Sequence, residues 1–81
     1  MLIKDLTIWG YAREYCGLER KQLCAMANIH YTTIQAFESG RYTPSRRLAN
    51  KLLSIFEQYD NDKLHPLIEE IKLYINNLKK Q

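Results

Sequence analysis

The chain has 81 residues, 46% of them hydrophobic, and only two prolines, a composition that favours one folded domain with a modest core over a disordered segment. The net charge of +3 at pH 7 is compatible with a nucleic-acid partner but does not require one. There is no apolar run of the roughly 18 residues that a membrane span needs, and no secretory leader pattern, so we expect a cytoplasmic protein without a membrane partner.

The first two predicted helices are short. The first is expected from about Lys4 to Tyr15, ended by a left-handed Gly17. The second is expected from Arg20 to Met26, followed by a turn at Asn28, because Asn tolerates positive φ. Their inward-facing residues are expected to be Leu2, Leu6, Trp9, Ala12 and Cys16 in the first helix, and Leu23 and Ala27 in the second.

The third predicted helix runs from Tyr31 to about Ser39 and ends at Gly40. Ile34 and Phe37 are expected to face inward. The opposite face carries no charge, which is unusual for a helix that is merely solvated; its residues are Tyr31, Thr32, Gln35 and Ala36. The chain just beyond this helix is basic, because residues 39–51 contain four basic side chains and no acidic one.

Two more helices complete an all-α, five-helix prediction, since no strand pattern competes. Ser45 is expected to cap the fourth helix, which has an apolar stripe of Leu48, Leu52, Ile55 and Phe56. The fifth is expected to begin near Leu64 or Pro66 and to end near Leu78. Its apolar residues are spaced by 4, 3, 4 and 3, which is a heptad pattern: Leu64, Ile68, Ile71, Ile75 and Leu78.

The second and third helices, spanning roughly Arg20 to Glu38, have the layout of a helix-turn-helix. Such a motif joins two short helices by a tight turn, and its second helix has an apolar inner face and an outer face that can contact base edges. Spacing alone leaves an ordinary three-helix bundle as an alternative.

Three stretches resemble the lambda-repressor/Cro-like (Xre) family. Residues 17–24 (GLERKQLC), 34–40 (IQAFESG) and 43–45 (TPS) align without a gap to that family's pattern, and the resemblance extends over about residues 9–56. The most specific part of the resemblance is the pattern E-x-G-x-x-x-P-S, formed here by Glu38, Gly40, Pro44 and Ser45. The resemblance implies a lambda-repressor-like fold in residues 1–60. Residues 61–81 extend beyond it, and we expect them to form a C-terminal helix that is a dimerisation element packed on the same domain.

The resemblance also implies roles for individual residues on double-stranded DNA. Base reading in the major groove is implied for Tyr31, Thr32 and Ala36, with Thr33 and Gln35 beside them. Gln35 has the two polar atoms needed to pair with adenine, and Thr32 or Ala36 can pack on a thymine methyl. Contacts with phosphates are implied for Arg20, Ser39, Arg41 and Tyr42. Arg13 and Glu38 are implied to form a largely buried ion pair between the first and third helices.

The chain departs from the family pattern at a few positions. Glu19 and His30 stand where the family usually has better helix caps, a change that costs roughly 1 kcal/mol each at most. Arg20 replaces a glutamine that grips a phosphate in the family, and arginine can do the same with more charge. None of these departures removes the motif.

The fifth helix extends beyond the motif, and its apolar stripe is wide. We expect it to form the seam of a two-fold homodimer, made by Leu64, Leu67, Ile68, Ile71, Tyr74, Ile75 and Leu78. The alternative is that this face folds back on the first and fourth helices of its own chain.

No pattern indicates catalysis, a cofactor or a metal. His30 and His65 are far apart and lack partners at metal-ligand spacing, and no nucleophile set or phosphate-binding glycine loop is present. Cys16 and Cys24 are interpreted as small buried residues in a reducing compartment, with a disulfide between them as the alternative.

We therefore expect a non-enzymatic regulator, a repressor from a phage, plasmid or mobile element that binds a palindromic operator as a dimer. The alternative is an antitoxin or protein inhibitor that uses the same fold to bind another protein.

Overall fold

Five helices form the part of the chain that the computed structural model describes, residues 7–78. They are α1 (Ile8–Cys16), α2 (Arg20–Ala27), α3 (Tyr31–Ser39), α4 (Arg46–Glu57) and α5 (His65–Leu78). There is no strand within this range. The all-α, five-helix prediction is confirmed.

The helices end where the sequence carries residues that can leave the helical conformation. Gly17, Asn28 and Gly40 adopt the left-handed conformation, with φ of 77°, 56° and 84°. Asn28 is the only non-glycine residue among those described with a positive φ. Ser45 is the N-cap of α4, and its hydroxyl accepts a hydrogen bond from the backbone N–H of Leu48 at 3.3 Å. The predicted boundaries at these four residues are confirmed.

The start of α1 differs from the prediction, which placed it near Lys4. Thr7 is extended, with φ of −78° and ψ of 176°, and the helix begins at Ile8. Thr7 instead bonds the end of α3: its N–H donates to Glu38 O at 3.1 Å and its hydroxyl to Phe37 O at 2.7 Å. The predicted inward positions of Leu2 and Leu6 lie outside the described residues.

A single hydrophobic core joins all five helices. Its members include Trp9, Leu23, Ile34, Phe37 and Phe56. α5 contributes Ile68, Ile71 and Ile75 to it, and the helix packs against both α4 and α1. The C-terminal helix therefore completes the core of the preceding four helices.

The burial of α5 favours the alternative to the predicted dimer seam, in which this face folds back on its own chain. Leu64, Ile68, Ile71 and Ile75 are 0–7% exposed, and Leu67 and Tyr74 pack partly buried against the same core; Leu78 is half-buried. The heptad row packs against the chain's own α1 and α4, as that alternative expected. A heptad spacing indicates that one face of a helix is buried, but it does not indicate whether the same chain or another copy buries it.

Tyr74 connects α5 both to α1 and to the loop that precedes α4. The rings of Trp9 and Tyr74 meet edge to face, 5.5 Å apart at an angle of 80°. The Tyr74 hydroxyl donates to the carbonyl of Pro44 at 2.5 Å. Pro44 is itself fully buried. The segment between α3 and α4 is thus fastened to α5 as well as to α3.

Among the described residues, none of the helices has both the length and the apolar character needed to cross a bilayer.

Candidate nucleic-acid interface

α2 and α3 are joined by a turn of three residues, 28–30. The left-handed Asn28 reverses the chain, and the Asn28 and Ile29 N–H groups both donate to the carbonyl of Cys24 at the end of α2. Ile29 is buried and pins the turn to the core. Leu23 and Ala27 of α2 and Ile34 and Phe37 of α3 face inward, as predicted. This geometry holds α3 across α2 with one face open to solvent.

The open face of α3 is polar and uncharged. Tyr31 is 41% exposed, Thr32 and Gln35 are also exposed, and Thr33 is half-buried at its margin. Ala36 does not share this face, because it is only 5% exposed. The chain turns back after α3, and the N–H groups of Arg41 and Tyr42 donate to the Ala36 carbonyl at 3.0 and 3.3 Å. The prediction that Ala36 faces outward is wrong.

The same turn brings two groups of predicted site residues together. A single surface depression is lined by Thr32, Gln35 and Ala36 from the base-reading group and by Ser39 and Arg41 from the phosphate group. The Ser39 hydroxyl donates to the Ala36 carbonyl at 3.2 Å. Tyr42 follows the lining residue Arg41 in the sequence and is 65% exposed. A polar helix face and a free basic side chain thus border the same concavity.

A buried carboxylate stands behind this surface. Glu38 is 2% exposed, and its two oxygens accept from Arg13, Nε to Oε2 at 2.6 Å and Nη2 to Oε1 at 3.2 Å. Arg13 also donates from Nη1 to the carbonyl of Leu18 at 2.9 Å. Such a bidentate pair is the geometry in which an arginine and a carboxylate bind most strongly. It ties α1 and the start of α2 to the end of α3.

Arg20 is the second arginine on Glu38, a role that the sequence did not indicate. Its Nε donates to Glu38 Oε1 at 3.1 Å, and its Nη1 donates to the Tyr31 hydroxyl at 3.2 Å. Its guanidinium carbon lies 5.6 Å from the centre of the Tyr31 ring, within cation–π range. The bond to Tyr31 and the charge of Glu38 raise the pKa of Arg20 and outweigh the desolvation that lowers it, so the side chain stays positive.

The cysteines have a packing role. Both are free thiols and half-buried against the core. Burial raises the pKa of Cys16 to about 11, and desolvation also raises that of Cys24, so both stay protonated and unreactive at neutral pH. Across residues 7–78, no group of three or more His, Cys, Asp or Glu side chains is arranged to hold a metal ion.

A family model described as helix-turn-helix matches residues 11–59, which is more than half of the chain and covers α2, α3 and α4. The chain belongs to the lambda-repressor/Cro-like (Xre) helix-turn-helix family. Searches of curated proteins and of solved structures give no significant match. Membership makes it a DNA-binding regulator of the helix-turn-helix class.

The departures from the Xre pattern are accommodated locally. At the start of α2, the Glu19 N–H donates to the side-chain oxygen of Gln22 at 2.8 Å, one half of a capping box. At the start of α3, His30 makes no side-chain capping bond, and its backbone carbonyl accepts from Thr33 and Ile34. Helix α3 of this Xre protein is therefore held by its tertiary contacts, including those of Glu38, and not by a side-chain cap.

Proposed function

We propose that this Xre protein is a sequence-specific transcriptional repressor that inserts α3 into the DNA major groove. The observation that carries the proposal is the exposed, uncharged polar face of α3, which shares a concavity with Arg41. Base edges in the major groove present hydrogen-bond donors, acceptors and methyl groups, which uncharged polar side chains match. A basic residue at the rim suits the phosphates on either side of the groove.

The two classes of contact are assigned to different residues. We assign base reading to Tyr31, Thr32 and Gln35, with Thr33 at the margin of the same face. We assign phosphate contacts to the segment that follows α3: Ser39, Arg41 and Tyr42, all exposed. Arg20 can add a phosphate contact, since its bonds to Glu38 and Tyr31 use two of its five N–H groups.

Selection of bound sequences from a random DNA pool tests the regulator proposal directly. The wild-type protein should enrich one motif. Gln35→Ala should change the preferred base at one position of that motif, and Thr32→Ala at another, by about 1–3 kcal/mol of discrimination where a bidentate contact is lost. Gln58→Ala is the matched control, because this exposed glutamine lies at the end of α4 and should leave the motif intact. No enriched motif, together with no binding at low salt, would rule the proposal out.

Arg41→Ala should have a different signature. A phosphate contact carries no sequence information, so affinity should fall about equally on every sequence, and the slope of log affinity against log salt should flatten by about one unit. Lys63→Ala removes the same charge from the connection between α4 and α5, and should change neither quantity. Binding titrations on two unrelated sites across a salt series give the measurement. A change of motif in Arg41→Ala would instead place this side chain on a base.

We further propose that two copies bind a palindromic operator of a phage, plasmid or mobile element and block the promoter. One motif covers too little DNA for strong specificity, and a second half-site about one helical turn away multiplies it. The central apolar row of α5 is buried within its own chain, so we expect the pairing to use another surface or to form on DNA. Sedimentation of the protein with and without the selected operator distinguishes these two cases.

The antitoxin alternative has less support. It assigned the C-terminal helix to a toxin, but the apolar row of α5 is buried within its own chain. Co-purification of a second polypeptide with the protein from its host would revive this alternative.

A further inference from the structure

The recognition surface contains a preassembled pair, Arg20 on α2 and Tyr31 at the first position of α3. Three contacts fix the pair. Glu38 Oε1 accepts from Arg20 Nε at 3.1 Å, Arg20 Nη1 donates to the Tyr31 hydroxyl at 3.2 Å, and the guanidinium lies over the ring at 5.6 Å. The support is firm because Glu38 is buried and also held by Arg13 at 2.6 Å. An exposed phenol is thus connected to the core of the protein.

We propose that Arg20 is a positioning residue that turns Tyr31 into a hydrogen-bond donor toward one base. This inference rests on the proposed DNA-binding function and names the chemistry of one of its contacts. A phenol can both donate and accept. Here its oxygen already accepts from a cation, so its own O–H is the part left to meet the DNA, and the neighbouring positive charge makes that O–H a stronger donor.

The base preference follows from the groups that bases display in the major groove. Guanine offers N7 and O6 as acceptors and thymine offers O4, whereas cytosine offers only the N4 amino donor. Tyr31 should therefore favour guanine or thymine at the base it meets and disfavour cytosine there. Without Arg20 the phenol is free to rotate and to accept, and the discrimination should weaken.

Site selection with conservative variants tests the proposal. Tyr31→Phe keeps the ring and removes only the hydroxyl, and should reduce the preference for guanine or thymine over cytosine at one position by about threefold to tenfold. Arg20→Lys keeps the charge but lacks the planar fork that reaches Glu38 and Tyr31 together, and should weaken the preference at that same position. The double variant should lose no more than Tyr31→Phe alone, because the two residues act through one bond. Tyr15→Phe is the control, since Tyr15 is 40% exposed, almost as much as Tyr31, but lies at the end of α1.

The pattern of affinity loss across sequences separates positioning from simple phosphate binding, because Arg20→Lys keeps the charge in both cases. With Arg20→Lys, the slope of log affinity against log salt should stay as in the wild type while the base preference changes. Thermal unfolding of each variant confirms that it is folded before binding is measured. A uniform loss of affinity on all sequences with no change of preference would make Arg20 a phosphate contact alone and overturn the proposal.

The outcomes also separate this inference from the function on which it rests. A wild-type protein that enriches no sequence would overturn both. An enriched motif that Tyr31→Phe leaves unchanged at every position would overturn only the role of the Arg20–Tyr31 pair.

Discussion

Glu38→Ala should lower the free energy of unfolding by about 3 kcal/mol, because it leaves two arginines without their shared carboxylate. The Arg13 side chain is 11% exposed, so it cannot recover its hydration without moving. The loss should also loosen α3, since Glu38 ties this helix to α1 and α2. Urea unfolding gives the energy, and amide hydrogen exchange along α3 gives the loosening.

Glu69→Ala is the matched control for this prediction. Glu69 also faces two basic partners, Lys72 and His65, but its side chain is 56% exposed, and its removal should cost under about 1 kcal/mol. The double variant Arg13→Ala with Glu38→Ala should be less destabilised than the sum of the two single changes, because neither charge is then left alone. A Glu38→Ala protein as stable as Glu69→Ala would contradict the prediction. It would show that water can replace the Glu38 carboxylate and that its bonds to Arg13 and Arg20 contribute little to stability.

Ile71→Ala should destabilise the protein by about 2–5 kcal/mol. Ile71 is 0% exposed and lies where α5 packs on the rest of the core, so truncation leaves a cavity. Ile71→Lys should be worse still and should unfold the chain, because it buries an unpaired charge. Thermal unfolding followed by circular dichroism measures both effects.

Leu73→Ala is the matched control on the same helix. It tests whether the buried and exposed faces of α5 are correctly assigned. Leu73 is 62% exposed, and its truncation should change stability by no more than about 0.5 kcal/mol. A folded, monomeric Ile71→Lys protein, from a wild type that sediments as a dimer, would instead return this helix to the role of a dimer seam.

The order and ends of the helices were predictable because local chemistry sets them. Gly17, Asn28, Gly40 and Ser45 each act within a few residues of themselves, as left-handed caps or as an N-cap hydroxyl. The start of α1 was not predictable, because Thr7 is withdrawn from the helix by bonds to Phe37 and Glu38, about 30 residues away. Local propensity carries no record of such a distant partner.

The candidate site was predictable to a similar degree. Helical spacing identified the exposed face of α3, and the family pattern supplied Arg13 and Glu38. The burial of Ala36 depends on the tertiary packing around α3, which spacing does not give. The bond of Arg20 to Glu38 depends on how α2 sits against α3, and nothing in the sequence indicated it, because the two residues are 18 positions apart.

The bonds around the segment between α3 and α4 bear on the thermodynamics of binding. Its first residues bond the carbonyl of Ala36, and at its far end Pro44 accepts from Tyr74 of α5. The loop that carries Arg41 and Tyr42 is therefore already ordered in the free protein. Ordering a flexible segment on association costs conformational entropy and produces the large heat-capacity change of coupled folding. We therefore expect this protein to bind DNA with a small entropy cost and a small heat-capacity change from this loop. Its affinity should depend on charge and direct contacts rather than on the folding of the loop.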